Sequence, residues 1–165
     1  MATEVARLAE IVCSGAKLAV PRRSVRRTPP PLNEVVSLQM RSMPRASTTP
    51  ELAVRRELHR QGLRFRVNYK LLPGRPDIAL ARVRLAVFID GCFWHRCPVH
   101  GTLPRNNRDW WHEKLTRNVE RDGEKDTALA ELGWQVMHFW EHEMATDVAG
   151  AVVSRWRSLS GRHDT

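Results

Sequence analysis

Pro76-Asp77-Ile78-Ala79-Leu80-Ala81-Arg82-Val83-Arg84-Leu85-Ala86-Val87-Phe88-Ile89-Asp90 is the stretch on which the fold turns. Two apolar runs, Asp77 to Ala81 and Arg84 to Asp90, are separated only by Arg82-Val83, a spacing that predicts a β-hairpin. The second run, Leu85 to Ile89, is apolar at odd and even positions alike, which places it in a sheet interior. In a tight hairpin the start of one strand lies beside the end of its partner, so Asp77 and Asp90, with twelve residues between them, share one end of the sheet. Carboxylates that close repel; they share a proton or bind a hard cation such as magnesium through oxygen. Either aspartate alone would pass as a turn former, Asp77 after Pro76 and Asp90 before Gly91, but their matched spacing favours function.

Upstream, Thr48-Thr49-Pro50-Glu51 has capping-box spacing with proline in the first turn, and predicts a helix through Arg60 stopped by Gly62. Leu63 to Tyr69 reads as a strand. Downstream, a loop rich in Cys, His and Trp spans Gly91 to Asn107, followed by a helix over Trp110 to Leu132 closed at Gly133. Trp134 to Trp140 reads as a buried strand, and Ala145 to Leu159 as an amphipathic helix. This order predicts an α/β layered domain, and 165 residues suit one such domain with a tail. The expected division is a basic, disordered tail over 1–38, a globular domain over 39–160, and a short C-terminal tail over 161–165.

Within the first segment, Pro21-Arg22-Arg23-Ser24-Val25-Arg26-Arg27-Thr28 runs into Pro29-Pro30-Pro31 with no periodic apolar face. Its arginines could touch phosphates; the blander alternatives, which we favour, are a solvated linker or a true start at Met40. Arg interrupts every apolar stretch well short of the ~20 residues of a membrane span. Leu8 to Val12 is too short for an export signal and contains Glu10, so a cytoplasmic protein is expected. The net charge of +9 suits a polyanion partner, RNA, DNA or anionic lipid alike.

Three cysteines, Cys13, Cys92 and Cys97, cannot build a disulfide framework. Cys92, Cys97 and His100 stand as C-x4-C-x2-H in one loop, and His142 follows the last strand. Two thiolates and two imidazoles make a tetrahedral zinc set with no open position for water, hence structural, tying the loop to that strand. Spacing alone equally allows a buried apolar Cys92 and a surface His142.

Pro76-Asp77-x12-Asp90 resembles the metal-binding signature of restriction-endonuclease-like nucleases, with the usual lysine replaced by Cys92 and a neighbouring base supplied by His95. Further blocks extend the likeness: Leu72 to Asp77, Phe88 to His95, Trp111 to Asp122, Leu132 to Val136, and Trp140-Glu141-His142. From about Met40 to Leu159 the chain closely resembles the very short patch repair endonucleases, bacterial DNA mismatch nickases. That resemblance implies a restriction-endonuclease-like core, a central mixed β-sheet flanked by helices with a structural zinc site. It implies that Asp77, with the backbone carbonyl of Ile89, holds a catalytic magnesium, and that Glu51 and His95 act on metal-bound waters or the leaving oxygen. Asp122 would support His95. Asp90 stands where the best-studied branch has histidine, which leaves it as an extra metal ligand or a water acceptor. His142 stands where that branch has a cysteine zinc ligand, an exchange that keeps a competent ligand. Glu51 has a competing role as the capping carboxylate of Thr48.

The resemblance further implies that Phe93, Trp94 and Trp111 wedge beside a mismatch and that Met40 enters from the other groove; periodicity alone does not choose between Trp110 and Trp111. Aromatic side chains can enter an opened base stack, and a mismatch lowers the cost of opening it. Lys114 and Asn118, one helical turn apart, face the same way toward bases or phosphates. Trp134, Trp140 and Trp156 are assigned to packing. The expected activity is magnesium-dependent, zinc-stabilised nicking 5′ of the thymine in a T·G mismatch left by deamination of 5-methylcytosine. The expected partner is mismatched duplex DNA, bound by a monomer at the nucleoid, with a functional link to a cytosine-5 DNA methyltransferase. The alternatives are a restriction-type endonuclease on matched DNA and a non-catalytic zinc-stabilised DNA-binding module.

Overall fold

The computed structural model describes residues 28–42 and 46–161. The basic run before Thr28 and residues 162–165 of the C-terminal tail lie outside the described residues. Among the described residues four α-helices, one 3-10 turn and four strands follow in the order α1 (Glu34–Ser42), α2 (Thr49–Arg60), β1 (Arg66–Val67), β2 (Ile78–Leu80), the 3-10 turn (Ala81–Val83), β3 (Leu85–Asp90), α3 (Arg108–Glu131), β4 (Gln135–Trp140) and α4 (Ala145–Ser160).

The hairpin forms as expected, with Ile78 opposite Val87, Ala79 opposite Ala86 and Leu80 opposite Leu85, and Arg84 turning the chain in the left-handed region (φ 50°). Because side chains alternate across a strand, the hairpin feeds two cores. Ile78, Leu80, Leu85 and Val87 pack against Val54 and Leu58 of α2 and Val148, Val152 and Val153 of α4. On the other face Ala79, Ala86 and Phe88 meet Leu72 and Leu129 of α3. Fully burying a Leu or Ile contributes roughly 1.5–3 kcal/mol, and Leu58, Ile78, Leu85 and Leu129 are all sealed from solvent. The sheet thus lies between α2 and α4 on one side and α3 on the other, an α/β layered architecture.

Strand order is β1-β2-β3-β4, antiparallel except for the parallel pair β3–β4. Parallel neighbours need a crossover, which the Gly91–Asn107 loop and α3 supply. The ends of β3 and β4 therefore emerge side by side, with Asp90 paired to Trp140. The antiparallel hairpin returns Asp77 to that same end. Topology alone gathers Asp77, Asp90, the Cys/His loop and the segment after β4 in one place.

Three expectations change. Of Leu63 to Tyr69 only Arg66–Val67 pairs as strand, because Leu63 is drawn into the core and Asn68 bends into the left-handed region (φ 46°). β4 is half-buried rather than buried: it is the sheet edge, sending Met137 and Phe139 to one core and Val136 to the other while His138 faces outward. Helix α1 crosses the expected boundary at residue 38, started by Asn33, whose Oδ1 accepts from the Val36 amide at 2.9 Å. Its Leu32 approach, Val35 and Leu38 are exposed, and neither buried core among the described residues includes a residue of α1.

Candidate active site and metal centre

Asp77 opens β2, and its Oδ2 accepts from the Ile89 amide at 2.9 Å across the hairpin. Burial pushes its carboxyl up to about 6, and the negative charges of Glu51 and Asp90 add to the rise, against the opposing pull of the Ile89 amide and Arg55. Glu51 lies buried on the first turn of α2, its Oε2 held by Arg55 at 2.7 Å and by the Ser47 amide at 2.8 Å, its Oε1 by the Thr48 hydroxyl at 2.9 Å. Thr48 makes no side-chain cap to the helix backbone, so half the expected capping box is missing, and Glu51 binds the chain just before the helix instead. Arg55 also reaches the Asp77 carbonyl at 3.3 Å and so ties the two acidic positions together.

At the same end of the sheet, just past the partner strand β3, His95 Nδ1 lies 2.6 Å from Asp122 Oδ2 and 3.8 Å from Asp90 Oδ1. Burial works to raise the Asp122 carboxyl, but hydrogen bonds from Lys125 (2.8 Å) and His95 outweigh it and hold the group below its ordinary value. An ionised carboxylate only accepts, so His95 donates through Nδ1 and its Nε2 is the nitrogen left for chemistry. Asp90 Oδ2 lies 2.6 Å from His138 Nδ1, whose Nε2 is 3.0 Å from Asp126 Oδ1.

Cys92, Cys97, His100 and His142 bring one ligand atom each to within 4.8 Å of one another. Tetrahedral zinc, with bonds of about 2.0–2.3 Å, spaces its ligand atoms roughly 3.3–3.8 Å apart, a size this group meets with small side-chain adjustments. Cys92 Sγ is 3.1 Å and Cys97 Sγ 3.9 Å from His142 Nδ1. Burial and the neighbouring Cys97 push the Cys92 thiol up to about 11, whereas backbone amides at His100, Val99 and Gly101 lower Cys97 against the effect of burial. A second thiolate there needs a cation, so the donor set fits a metal ion with two sulfur and two nitrogen ligands. Glu141 fastens the start of the loop by accepting from the Cys92 amide at 2.7 Å.

Beside these groups Phe93 packs edge-on against Trp94 (5.0 Å between centroids) and Trp111 (5.3 Å), and Trp110 against Trp111 (4.9 Å). Lys114 Nζ sits 4.7, 5.2 and 5.4 Å from the ring centres of Trp110, Trp111 and Trp94, and desolvation lowers its pKa. Asn118 Nδ2 donates to the Trp94 carbonyl at 3.1 Å. Lys114 and Asn118 share the expected face and hold the aromatic cluster. Met40 lies apart from them on α1, partly exposed. Trp134 and Trp156 pack against the two cores, and Trp140 is half-buried.

A profile of the DNA mismatch endonuclease Vsr family matches residues 33–100. The type II nicking enzyme V.NaeI of Lentzea aerocolonigenes is 43% identical over 142 residues, 83% of this chain and 86% of that protein. The chain belongs to the Vsr family. Within it, V.XorIIP of Xanthomonas oryzae is 44% identical over 115 residues (68% of this chain, 82% of that one), and the DNA mismatch endonuclease Vsr of Escherichia coli 40% over 107 (64% and 68%). Membership makes this protein a DNA endonuclease, a hydrolase of phosphodiester bonds.

The structure places Asp77 within electrostatic reach of Glu51 and Asp90, His95 beside Asp122 and Asp90, and Cys92, Cys97, His100 and His142 in one group. Sequence reasoning missed Arg55, Lys125, Asp126 and His138. Arg55 was signalled by its place four residues after Glu51, the spacing of a helical ion pair. His138 was signalled as the lone titratable residue in an otherwise mostly apolar strand.

Proposed function

We propose that this endonuclease nicks DNA 5′ of the thymine in T·G mismatches that arise from 5-methylcytosine deamination. The observation that carries this reading is the convergence of Asp77, Glu51, Asp90 and the His95–Asp122 pair at one sheet end, directly beside the Phe93/Trp94/Trp111 cluster. Asp77 and the Ile89 carbonyl would hold magnesium, a fit supported by the buried carboxyl of Asp77 with two further acidic groups around it. Such an ion polarises the phosphodiester and lowers the pKa of the attacking water. His95, oriented by Asp122, offers Nε2 to move a proton at the attacking or leaving oxygen. Glu51 borders the site as a fixed negative charge, and Asp90 serves as an acceptor. The aromatic cluster supplies stacking surfaces for bases beside the mismatch, with Met40 on the opposite groove and Lys114 and Asn118 on bases or phosphates.

Zinc on Cys92, Cys97, His100 and His142 would pin the loop and give the restriction-endonuclease-like core its structural metal site. The catalytic unit would be 39–160, acting as a cytoplasmic monomer on nucleoid DNA, with 1–38 and 161–165 as tails and a methyltransferase that makes 5-methylcytosine as its functional counterpart. The relatives named type II nicking enzymes carry no mention of a mismatch in their names, which leaves room for a second reading, nicking without regard to a mismatch. End-labelled duplexes differing only in T·G, T·A or C·G at one position, incubated with magnesium or EDTA, separate the two: the mismatch reading expects magnesium-dependent nicking of T·G, the second equal cutting of all three.

A further inference from the structure

His138 bridges two carboxylates on two different elements: Asp90 at the end of β3 (2.6 Å) and Asp126 on α3 (3.0 Å). It also stacks on Phe88, with ring centroids 5.0 Å apart and planes 11° apart, which fixes the plane of the imidazole. In the β3–β4 register His138 lies opposite Phe88, so it meets Asp90 along the diagonal of the same sheet face. Its side chain keeps about a third of its surface exposed and so is not a core contact. Two ionised carboxylates can only accept, so the ring donates from both nitrogens and is an imidazolium. Hydrogen bonding to Asp90 accordingly raises the pKa of His138 to about 9, with Asp126 adding to it against desolvation.

We propose that His138 is a positioning residue for the nuclease reaction: gripped by Asp126 and clamped flat on Phe88, it holds Asp90 by Oδ2, offsets its charge, and leaves Oδ1 directed at His95. The distances carry this assignment. Oδ1 stands 3.8 Å from His95 Nδ1, beyond a hydrogen bond, while that nitrogen is committed to Asp122. Asp90 then borders the reaction as an oriented acceptor, and the Asp77 site faces one fewer uncompensated negative charge. Without His138, Asp90 would be free to rotate toward the cation side and compete with Asp77 for it. The proposal rests on the assignment of Asp77 as the cation ligand.

Single-turnover nicking by the full chain, measured across magnesium concentrations for wild type, His138→Leu, His138→Gln and Asp126→Asn, tests it, with duplex affinity and melting temperature measured alongside. His138→Leu is expected to cut about 10–100-fold more slowly at saturating magnesium, the range for loss of an outer partner, with duplex affinity within about two-fold of wild type. Its half-saturating magnesium concentration should fall, because an unmasked carboxylate draws the ion more strongly while orienting it worse. His138→Gln can still donate to Asp90 from its amide nitrogen but carries no charge and cannot donate to both carboxylates from opposite ends, so it should recover only part of the rate. A wild-type rate and magnesium midpoint in His138→Leu would overturn the proposal, as would a folded His138→Gln no faster than the leucine variant. Should the leucine variant fail to fold, Asp126→Asn decides: a slower rate with a lower magnesium midpoint is expected, and a wild-type rate and midpoint there would overturn the proposal. Asp77→Asn, run in parallel, separates the premises: an active Asp77→Asn refutes the cation assignment itself, whatever His138 does. All rates are ratios to wild type on whichever duplex it cuts fastest, so the outcome does not hang on mismatch preference.

Discussion

Asp77 combines partial burial, a backbone donor at Ile89 and two acidic neighbours, a set that suits a cation better than a bare proton. Asp77→Asn keeps the shape and removes the charge, so nicking should drop about a thousand-fold or more while duplex affinity survives, as measured by rate and binding on one preparation. His138 gives a pH signature. Its folded pKa, about 9, lies above the ordinary 6.5, so its stabilisation is fully present below pH 6.5 and is lost as pH rises through 9. The melting-temperature gap between wild type and His138→Leu should therefore be widest near pH 6 and close by pH 10; a gap independent of pH would show that the ring acts only by packing.

The element that most needs help is the Gly91–Asn107 loop, which buries little besides Cys92 and Cys97. Four ligands from that loop and from the end of β4 would supply what its core lacks. Cys97→Ala and His142→Ala should each lose the zinc expected at one equivalent per chain and melt roughly 5–10 °C lower, the shift of a few kcal/mol at this size. Elemental analysis finding no zinc in folded, active protein would refute the centre. The hairpin, α2, α3 and α4 were legible because apolar period, the Gly62 and Gly133 stops after α2 and α3 and the short Arg82-Val83 link all agree. β1 and α1 were not: a two-residue edge pairing leaves no period to read, and α1 follows directly on the proline-rich run read as a tail, with none of its residues in either core. The edge position of β4 was hidden too: its apolar composition matches a central strand, and only topology shows which neighbour it lacks.

Across the whole molecule, the antiparallel β2–β3 and parallel β3–β4 pairings deliver Asp77, Asp90 and the Cys/His group, the proposed catalytic and ligating residues, to a single end of the sheet. Asp77, Asp90, His95 and the Cys/His set were readable as local spacings, whereas the partnerships of His138, Asp126 and Arg55 join positions 12 to 48 residues apart and needed the fold. No helix among the described residues is long and apolar enough to cross a membrane. Deleting residues 1–33, which ends before α1 and removes six Lys/Arg and two Glu, should leave nicking within about two-fold. The salt slope of binding should flatten by about 0.9 for each of those cations that rests on a phosphate. A large loss of rate in a folded deletion would place the segment in the catalytic complex. Whether the enzyme discriminates T·G from T·A is read from the ratio of single-turnover nicking rates on two end-labelled duplexes identical but for that one pair. Base–aromatic stacking worth roughly 1–3 kcal/mol per base, gained by several rings only where the helix opens, predicts a preference of about a hundred-fold or more with the break mapped 5′ of the thymine. Equal rates on the two duplexes would contradict it.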